Sequence, residues 1–258
     1  MNSDAELLAA WAAEERAQPE GWDFSSLDGR MSESSEPWDL AAVWRTALAS
    51  ATRVLDMGTA GGEFLARFAD VLPAHTVASE GWLPNLGVAR RGLAPYDVGV
   101  VGSDPDEHGS HLPFAAGSFD LVLNRHEAYE PADVWRILSP GGVFVTQQVG
   151  GDELGEVRSA FGMSPSAPEV TYDRFRAGLA DAGFDVVDGA ESVGHYVFAD
   201  IAALVAYVQL VPWDVPEDFT VERYADELLH LHQRGPISGQ PFRATRKRFW
   251  LEGRKPAA

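Results

Sequence analysis

The chain has 258 residues, enough for one large domain or a domain with a cap, and it contains no cysteine. The lack of cysteine excludes disulfides, thiolate zinc sites, iron–sulfur clusters and a cysteine nucleophile. A formal net charge of −19 disfavours binding to a phosphate backbone unless the few cations are concentrated on one surface.

The charge and hydropathy patterns predict a soluble, cytoplasmic protein without nucleic-acid or membrane partners. One group of cations lies near the C-terminus, in and around a strand-like segment: Arg243, Arg246, Lys247, Arg248, Arg254 and Lys255. Alternation along a strand splits such residues between two faces. The apolar stretch 201–211 is shorter than the roughly 20 residues that span a bilayer, and the acidic N-terminal segment resembles no secretory signal.

The first segment of the chain predicts a helical cap. Ser3 and Glu6 have the spacing of a capping box, which indicates a helix over about residues 4–17. A second helix is predicted through WDLAAVWRTALA, before the pattern changes at Arg53. We therefore interpret residues 1–52 as an N-terminal helical cap segment.

From residue 53, short apolar runs alternate with amphipathic segments. Five runs are predicted as strands: RVLDM, HTVASE, DVGVVG, FDLVLN and GVFVTQQV. Helices are predicted between them in EFLARFADVL, LPNLGVARRGLA and PADVWRIL. Strands that alternate with helices of this length form right-handed β-α-β units, so we expect a doubly wound, mostly parallel α/β sheet.

The C-terminal half predicts two more strands and a helical insertion. Helices near 152–161 and through YDRFRAGLADAG are followed by a sixth strand, FDVVDGAE. Residues 195–242 interrupt the sheet with two predicted helices, and a strand near 245–252 completes a seven-stranded sheet. The core is therefore expected to comprise 53–194 and 243–258.

The stretch VLDMGTAGGEF (54–64) predicts a strand, a glycine turn and a helix, the usual nucleotide site of an open parallel sheet. Gly58 lets the chain reverse, and Gly61 and Gly62 open a helix whose free N–H groups favour a negative group. A carboxylate at Asp56 opposes the pyrophosphate of a dinucleotide and attracts the ammonium and sulfonium of S-adenosylmethionine. The spacing also departs from G-x-G-x-x-G, so S-adenosylmethionine is favoured over NAD.

A second acid lies at the end of the second predicted strand. Glu80 follows Asp56 by 24 residues (80 − 56 = 24), the spacing of an acid that binds ribose hydroxyls. Both cofactor classes carry a ribose, so Glu80 indicates an adenosine nucleoside without choosing between them.

As a set, these motifs resemble a known family. VLDMGTAGGEF, Glu80, LPFAAGSFDLVLN (112–124) and ILSPGGVFV (137–145) are similar to the successive motifs of class I S-adenosylmethionine-dependent methyltransferases, especially the small-molecule type 11 group. The resemblance covers roughly residues 53–150. It implies a Rossmann-like fold, methyl transfer and S-adenosyl-L-methionine as cofactor.

The resemblance also implies the cofactor contacts. The methionine half is assigned to Asp56, Gly58, Thr59, Ala60 and Gly61. The ribose and adenine are assigned to Glu80, Gly81 and Trp82, and an acid after the third strand to the adenine amine, for which Asp104 and Asp106 both qualify. Asn124 and Arg125 are further candidate cofactor contacts.

The segment NRHEAY (124–129), after the fourth predicted strand, holds the candidate catalytic groups. His126 is a candidate general base for an acceptor hydroxyl or amine, and Glu127 is a candidate to orient it or to contact the acceptor. In the alternative interpretation His126 only packs against the cofactor, while Glu127 and Arg125 are loop charges.

The predicted acceptor pocket is lined by aromatic and histidine side chains from both ends of the chain: Trp22, Phe24, Tyr129, His195 and Tyr196. The apolar helices of 195–242 are expected to roof it, which predicts a small, partly apolar acceptor, or else to form a homodimer contact. A His-Tyr pair is more often structural. No metal site is predicted, because the histidines lack ligand spacing.

Other functions remain as alternatives. A non-catalytic nucleoside-binding protein on this fold would keep Asp56, Gly58 and Glu80 as well. An RNA guanine methyltransferase is disfavoured, because those enzymes carry a cysteine zinc module, and an exocyclic base-amine methyltransferase lacks its Asn-Pro-Pro-Tyr type motif here. A nicotinamide-dependent reductase is disfavoured by Asp56.

Overall fold

The structure is a computed structural model that describes residues 3–17, 24–103, 112–235 and 240–257. Within these ranges the helices are α1 (Asp4–Arg16), α2 (Leu40–Leu48), α3 (Glu63–Ala66), α4 (Leu83–Leu93), α5 (Pro131–Ile137), α6 (Gly155–Ala160), α7 (Tyr172–Asp181), α8 (Ile201–Leu210) and α9 (Ala225–Arg234). The strands are β1 (Met31–Glu33), β2 (Arg53–Met57), β3 (His75–Glu80), β4 (Gly99–Gly102), β5 (Phe119–Arg125), β6 (Leu138–Val149), β7 (Asp185–Phe198) and β8 (Phe242–Arg254). None of these helices is long and apolar enough to cross a membrane.

The strands form one sheet in the order β1-β7-β8-β6-β5-β2-β3-β4. Strands β6, β5, β2, β3 and β4 are parallel to one another, whereas β8 is antiparallel to β6 and β1 to β7. From β2 the chain moves first to β3 on one side and later to β5 on the other, so the strand order reverses at β2. Ligands of such sheets bind beyond the carboxyl ends of the strands at this reversal.

The predicted α/β class is confirmed, with differences in detail. Among the described residues the sheet has eight strands instead of the predicted seven, because Met31–Glu33 pairs with the end of β7. Strand β7 continues to Phe198, beyond the predicted start of the insertion at 195, because its last residues pair with β1. Helix α3 is short, and the backbone after it continues in turns that bond to the residue three positions earlier.

The chain divides into two compact units. The first unit comprises Met1–Glu36, Gly150–Glu169 and Ser192–Lys247, and the second comprises Pro37–Val149, Val170–Glu191 and Arg248–Ala258. Helix α2 is thus part of the second unit, where Trp44 is buried in an apolar cluster with strand residues. The interpretation of 1–52 as a cap and of 195–242 as a roof over an acceptor site stays a prediction.

In the first unit, α8 is the centre of the hydrophobic core. Eight of its ten residues are buried, and they pack in one cluster with residues of α1 and α9. A helix that is apolar on all sides is stable only when it is buried on all sides. The capping box of α1 is confirmed, since the Ser3 and Glu6 side chains each accept a hydrogen bond from the other's backbone N–H.

The first unit also contains buried ion pairs. The Arg158 guanidinium lies 3.0 Å from the Asp214 carboxylate and donates a further hydrogen bond to the Trp213 carbonyl. Burial raises the pKa of Asp214, and Arg158 opposes that rise. Such pairs fix the geometry of an interior more than they add to its stability.

In the second unit the parallel sheet has apolar residues on both faces. Val54 and Leu123 belong to one cluster with α2 and α4, while Leu55 and Val122 belong to another with α5 and α7. Successive strand residues point to opposite faces, so helices cover the sheet on both sides, as a doubly wound fold requires. Asp56, two residues after Val54, is on the face of β2 that α2 and α4 cover.

Helix α4 packs tightly against the glycine turn. A Cβ atom at Gly92 would lie 2.8 Å from the Gly61 carbonyl oxygen, and one at Gly62 would lie 2.6 Å from Leu93 Cγ. Real Cβ atoms do not approach other atoms so closely. The absence of side chains at Gly62 and Gly92 therefore sets the distance between the turn and the helix.

Two glycines of α4 provide a matched test of this packing. We expect Gly92→Ala to lower the free energy of unfolding by about 1–2 kcal/mol, because the new methyl group collides with the Gly61 carbonyl. Gly87→Ala, whose Cβ would meet only Arg91 Nη1 at 3.5 Å, should raise it by up to about 1 kcal/mol through helix propensity. Urea unfolding measures both, and equal stabilisation by the two substitutions would contradict the proposed contact.

Candidate cofactor site

The glycine turn after β2 is tied to the end of β3. The backbone N–H groups of Gly58 and Thr59 both donate to the Ser79 carbonyl, at 3.1 and 2.9 Å. Gly58 has a φ of +72° and Ala60 a φ of +54°, in the left-handed region. That region is accessible to glycine and costly for alanine, so the turn holds Ala60 under strain.

Asp56 is buried at the end of β2, with 3% of its surface exposed. Burial raises the pKa of its carboxyl to about 6. The nearby Thr59 hydroxyl and the charge of Arg125 oppose the rise, while the charge of Glu80 adds to it. Asp56 is therefore ionised at neutral pH but gives up this charge on mild acidification.

Glu80 is buried at the end of β3, the strand next to β2. Its Oε1 atom accepts a hydrogen bond of 2.8 Å from the Trp82 backbone N–H. Burial raises the pKa of Glu80, and the N–H groups of Trp82, Ala60 and Gly81 oppose that rise. The carboxylate is thus held in place by main-chain donors of the turn and of its own strand end, while the Trp82 side chain is 50% exposed.

The loop after β5 is fixed by a buried network of polar side chains. Asn124 is fully buried, and its Oδ1 atom accepts hydrogen bonds from Thr146 Oγ1 at 3.0 Å and from Gln148 Nε2 at 2.8 Å. Its Nδ2 atom donates to the Glu127 carbonyl at 3.1 Å, and Gln148 Nε2 donates to the same carbonyl at 3.0 Å. Asn124 therefore holds the backbone of the loop, and direct contact with a cofactor stays a prediction.

The predicted catalytic residues lie on this loop. His126 is exposed and has a φ of +67°, and its backbone N–H donates to the Gln147 carbonyl at 2.8 Å. The Arg125 guanidinium lies over the Phe64 ring, 4.6 Å from its centre. The left-handed backbone conformation of His126 turns the loop after β5 back towards the glycine turn.

Glu127 is brought directly to the glycine turn. A Cβ atom at Gly58 would lie 2.6 Å from both Cγ and Oε2 of Glu127, so the Glu127 side chain packs against the bare backbone of the turn. The carboxylates of Asp56, Glu80 and Glu127 thus surround one turn. The structure brings these predicted residues together although they follow three different strands.

The predicted acceptor residues are found in several places. In the first unit, Phe24 and Tyr196 lie near Tyr207 in the apolar cluster, and the Tyr196 hydroxyl donates to Glu153 Oε1 at 2.7 Å. His195 is exposed, and its backbone N–H donates to Ser34 Oγ at 3.0 Å. Their role in an acceptor pocket stays a prediction.

In the second unit, the Tyr129 ring packs edge-on against Phe144 and Phe175. Burial raises the pKa of its hydroxyl, and Thr146 opposes the rise. Trp22, Asp104 and Asp106 lie outside the described residues. Among the described residues, no group of three or more His, Asp or Glu side chains is arranged to hold a metal ion.

The sequence interpretation missed the polar residues that support the loop: Trp38, Thr146, Gln147 and Gln148. The signal was present in GVFVTQQV, where three polar residues end an otherwise apolar strand. Buried polar side chains at a strand end need hydrogen-bond partners, so they indicate a network next to the site.

Comparison with known sequences gives one partial match, and no family model matches the chain. A curated relative named "Uncharacterized methyltransferase", from Mycolicibacterium gilvum (strain PYR-GCK), is 33% identical over an alignment of 129 residues. The alignment covers 44% of this chain and 49% of the relative. The chain thus spans about half the length of that relative.

Comparison with solved structures gives matches over most of the chain. A methyltransferase candidate from Bacillus halodurans C-125 has a TM-score of 0.61 and 18% identity, covering 85% of this chain and 99% of that one. The [4+2]-cyclase SpnF has a TM-score of 0.54 and 16% identity, and the match covers 99% of this chain and 93% of the cyclase. An S-adenosylmethionine-dependent methyltransferase from Mesorhizobium loti has a TM-score of 0.51 and 16% identity, and the match covers 84% of this chain and 96% of that enzyme.

At these identities the solved structures show the fold alone, and one of them is named for a cyclisation. In fold the chain is similar to these solved structures, and part of its sequence is similar to one relative named as a methyltransferase, which agrees with the resemblance of its motifs.

Proposed function

We propose that this protein is an S-adenosylmethionine-dependent methyltransferase that acts on a small, partly apolar molecule. The observation that carries the proposal is the set of three carboxylates, Asp56, Glu80 and Glu127, around a glycine turn at the reversal of the strand order. A turn so rich in negative charge suits a cationic nucleoside and opposes a pyrophosphate.

The size of this electrostatic effect is large enough to select a ligand. Two unit charges about 4 Å apart at an effective dielectric constant of about 20 interact by about 4 kcal/mol. The interaction is attractive for an ammonium or sulfonium and repulsive for a phosphate. Arg125 lowers the pKa of Asp56, but it supplies one positive charge against three carboxylates and so neutralises only part of the negative charge.

The residues present fit S-adenosylmethionine in both of its halves. Asp56 and Glu127 would attract the charged methionine half, and the bare backbone at Gly58 lets a ligand approach the turn. Glu80 accepts main-chain hydrogen bonds but, as a carboxylate with about four acceptor sites, retains capacity for ribose hydroxyls. The half-exposed Trp82 side chain offers an aromatic surface to adenine.

When bound, S-adenosylmethionine supplies an electrophilic methyl group, and the protein supplies orientation and exclusion of water. The acceptor is proposed from composition: aromatic side chains at Trp22, Phe24, Tyr129 and Tyr196, with His195, suit a small molecule with apolar surface. A net charge of −19 argues against a nucleic-acid substrate. A homodimer remains the alternative use of the apolar segment 195–242.

A second candidate is a protein of this fold that binds S-adenosylmethionine without transferring its methyl group. The similarity to a cyclase supports keeping this candidate, because one fold can carry several reactions. Release of S-adenosylhomocysteine in the presence of small-molecule acceptors separates the two candidates, since a purely binding protein produces none.

Ligand titration tests the cofactor directly. We expect S-adenosylmethionine and S-adenosylhomocysteine to bind in calorimetric titrations and to raise the melting temperature, because a ligand of the folded state alone stabilises it. NAD should do neither. Binding of NAD without binding of S-adenosylmethionine would contradict the proposal.

Substitution of Asp56 tests the electrostatic argument. We expect Asp56→Asn to weaken S-adenosylmethionine binding at pH 7.5 by at least tenfold, through loss of the attraction to a cation. In the unchanged protein the affinity should fall as pH is lowered through about 6, where Asp56 takes up a proton. The variant should lose that component of the pH dependence, which titrations at pH 5 to 7.5 measure.

The free energy of unfolding provides the control for Asp56→Asn, because the substitution should raise stability while it weakens binding. Because the pKa of Asp56 rises from 3.8 to about 6 on folding, its ionisation destabilises the folded protein by an amount that grows between about pH 4 and pH 6 and is complete above that. Asp56→Asn should therefore raise the free energy of unfolding at pH 8 by up to about 3 kcal/mol, and the gain should shrink as the pH approaches 5. Asp97→Asn, at an exposed acid of the same unit, should change neither property. Weaker binding together with lower stability would indicate a misfolded site instead.

Substitution of Glu80 tests the ribose assignment. We expect Glu80→Gln to lower the affinities for S-adenosylmethionine and for S-adenosylhomocysteine by the same factor, about tenfold, because both ligands carry the same ribose. Direct binding titrations measure this factor. A loss confined to S-adenosylmethionine would assign Glu80 to the sulfonium instead of the ribose.

A further inference from the structure

The side chain of His126 meets the Gln147 amide. His126 Nε2 and Gln147 Nε2 are 3.0 Å apart. The backbone beneath them is fixed as well, since the His126 N–H donates to the Gln147 carbonyl at 2.8 Å. The ring and the amide are therefore held against each other by two contacts.

Trp38 determines which way the Gln147 amide points. The Trp38 indole N–H donates to Gln147 Oε1 at 2.9 Å. An indole nitrogen only donates, so the atom facing it must be the amide oxygen. The NH₂ end of Gln147 is then the end that faces His126.

The orientation of the amide in turn determines the tautomer of the imidazole. An amide NH₂ group only donates, so His126 Nε2 must accept, and a neutral ring that accepts at Nε2 carries its proton on Nδ1. His126 can take a proton at Nε2 only by breaking the hydrogen bond to Gln147. The geometry thus opposes the general-base role that the sequence suggested for this residue.

We propose that Trp38 and Gln147 are positioning residues that hold His126 as its Nδ1–H tautomer, so that the imidazole serves the site as a hydrogen-bond donor and not as a base. This inference rests on the proposed function for its catalytic meaning. A donor at this position suits an acceptor molecule whose oxygen nucleophile is already ionised, such as a carboxylate or phenolate, because the methyl group then passes from the sulfonium to that oxygen with no proton to remove.

The tautomer is measured on the full chain without any ligand, by long-range ¹H–¹⁵N correlation spectra of the imidazole, assigned with a His126→Gln variant. We expect the Nδ1–H pattern in the unchanged protein. Gln147→Glu should convert it to a ring protonated at Nε2, because a carboxylate only accepts. Trp38→Phe should give a mixture, because the amide can then rotate.

Trp44→Phe is the matched control. It removes another buried indole of the same unit, whose Nε1 atom has no hydrogen-bond partner among the described residues, so the His126 signals should stay unchanged. An Nε2–H pattern in the unchanged protein would overturn the inference, and so would a tautomer that is insensitive to Gln147→Glu.

Failure of this inference is distinguishable from failure of the proposed function. An Nε2–H ring in a protein that binds S-adenosylmethionine would contradict the inference alone. An Nδ1–H ring in a protein that binds only NAD would contradict the proposed function alone.

Discussion

The burial of one carboxylate, that of Asp56, is the constraint on which the candidate site depends. A rise of its pKa to about 6 corresponds to on the order of 3 kcal/mol spent on keeping the charge out of water. This value already includes the opposing effects of Thr59 and Arg125, so it is the remaining cost, which a cation that enters the turn would offset. The glycine turn, the end of β3 and the loop after β5 all place polar atoms around this one group. These groups are held by hydrogen bonds within the protein, and a site fixed by its own contacts has a lower ordering cost on binding.

Much of the second unit could be predicted from the sequence, because its signals are local. The β2 strand, the glycine turn and Glu80 lie in one short stretch of chain with regular alternation of strands and helices. Strand β1 could not be predicted in this way, since three residues form a strand only when β7 supplies the partner. The shortness of α3 was missed because the apolar spacing of EFLARFADVL fits a longer helix.

The orientation of Gln147 by Trp38 could not be predicted for a similar reason. Trp38 and Gln147 are 109 positions apart, and no local pattern reports that their side chains meet. The candidate site is therefore predictable where it follows strand ends, and unpredictable where a distant residue orients a side chain. The apolar helix α8 shows the same limit, since its hydrophobicity predicts burial but does not tell which residues cover it; its buried residues pack within the first unit.

The contact between Gly61 and Gly92 affects what can be inferred from a glycine that is retained in related sequences. Gly92 lies near the C-terminal end of helix α4 and contributes to the site by letting the Gly61 carbonyl come close. In an alignment of homologues, a position of this kind would be expected to keep its glycine as strictly as the turn itself. Strict retention would then mark a helix-packing requirement, and a survey that equates retained residues with ligand contacts would place Gly92 in the binding site by mistake.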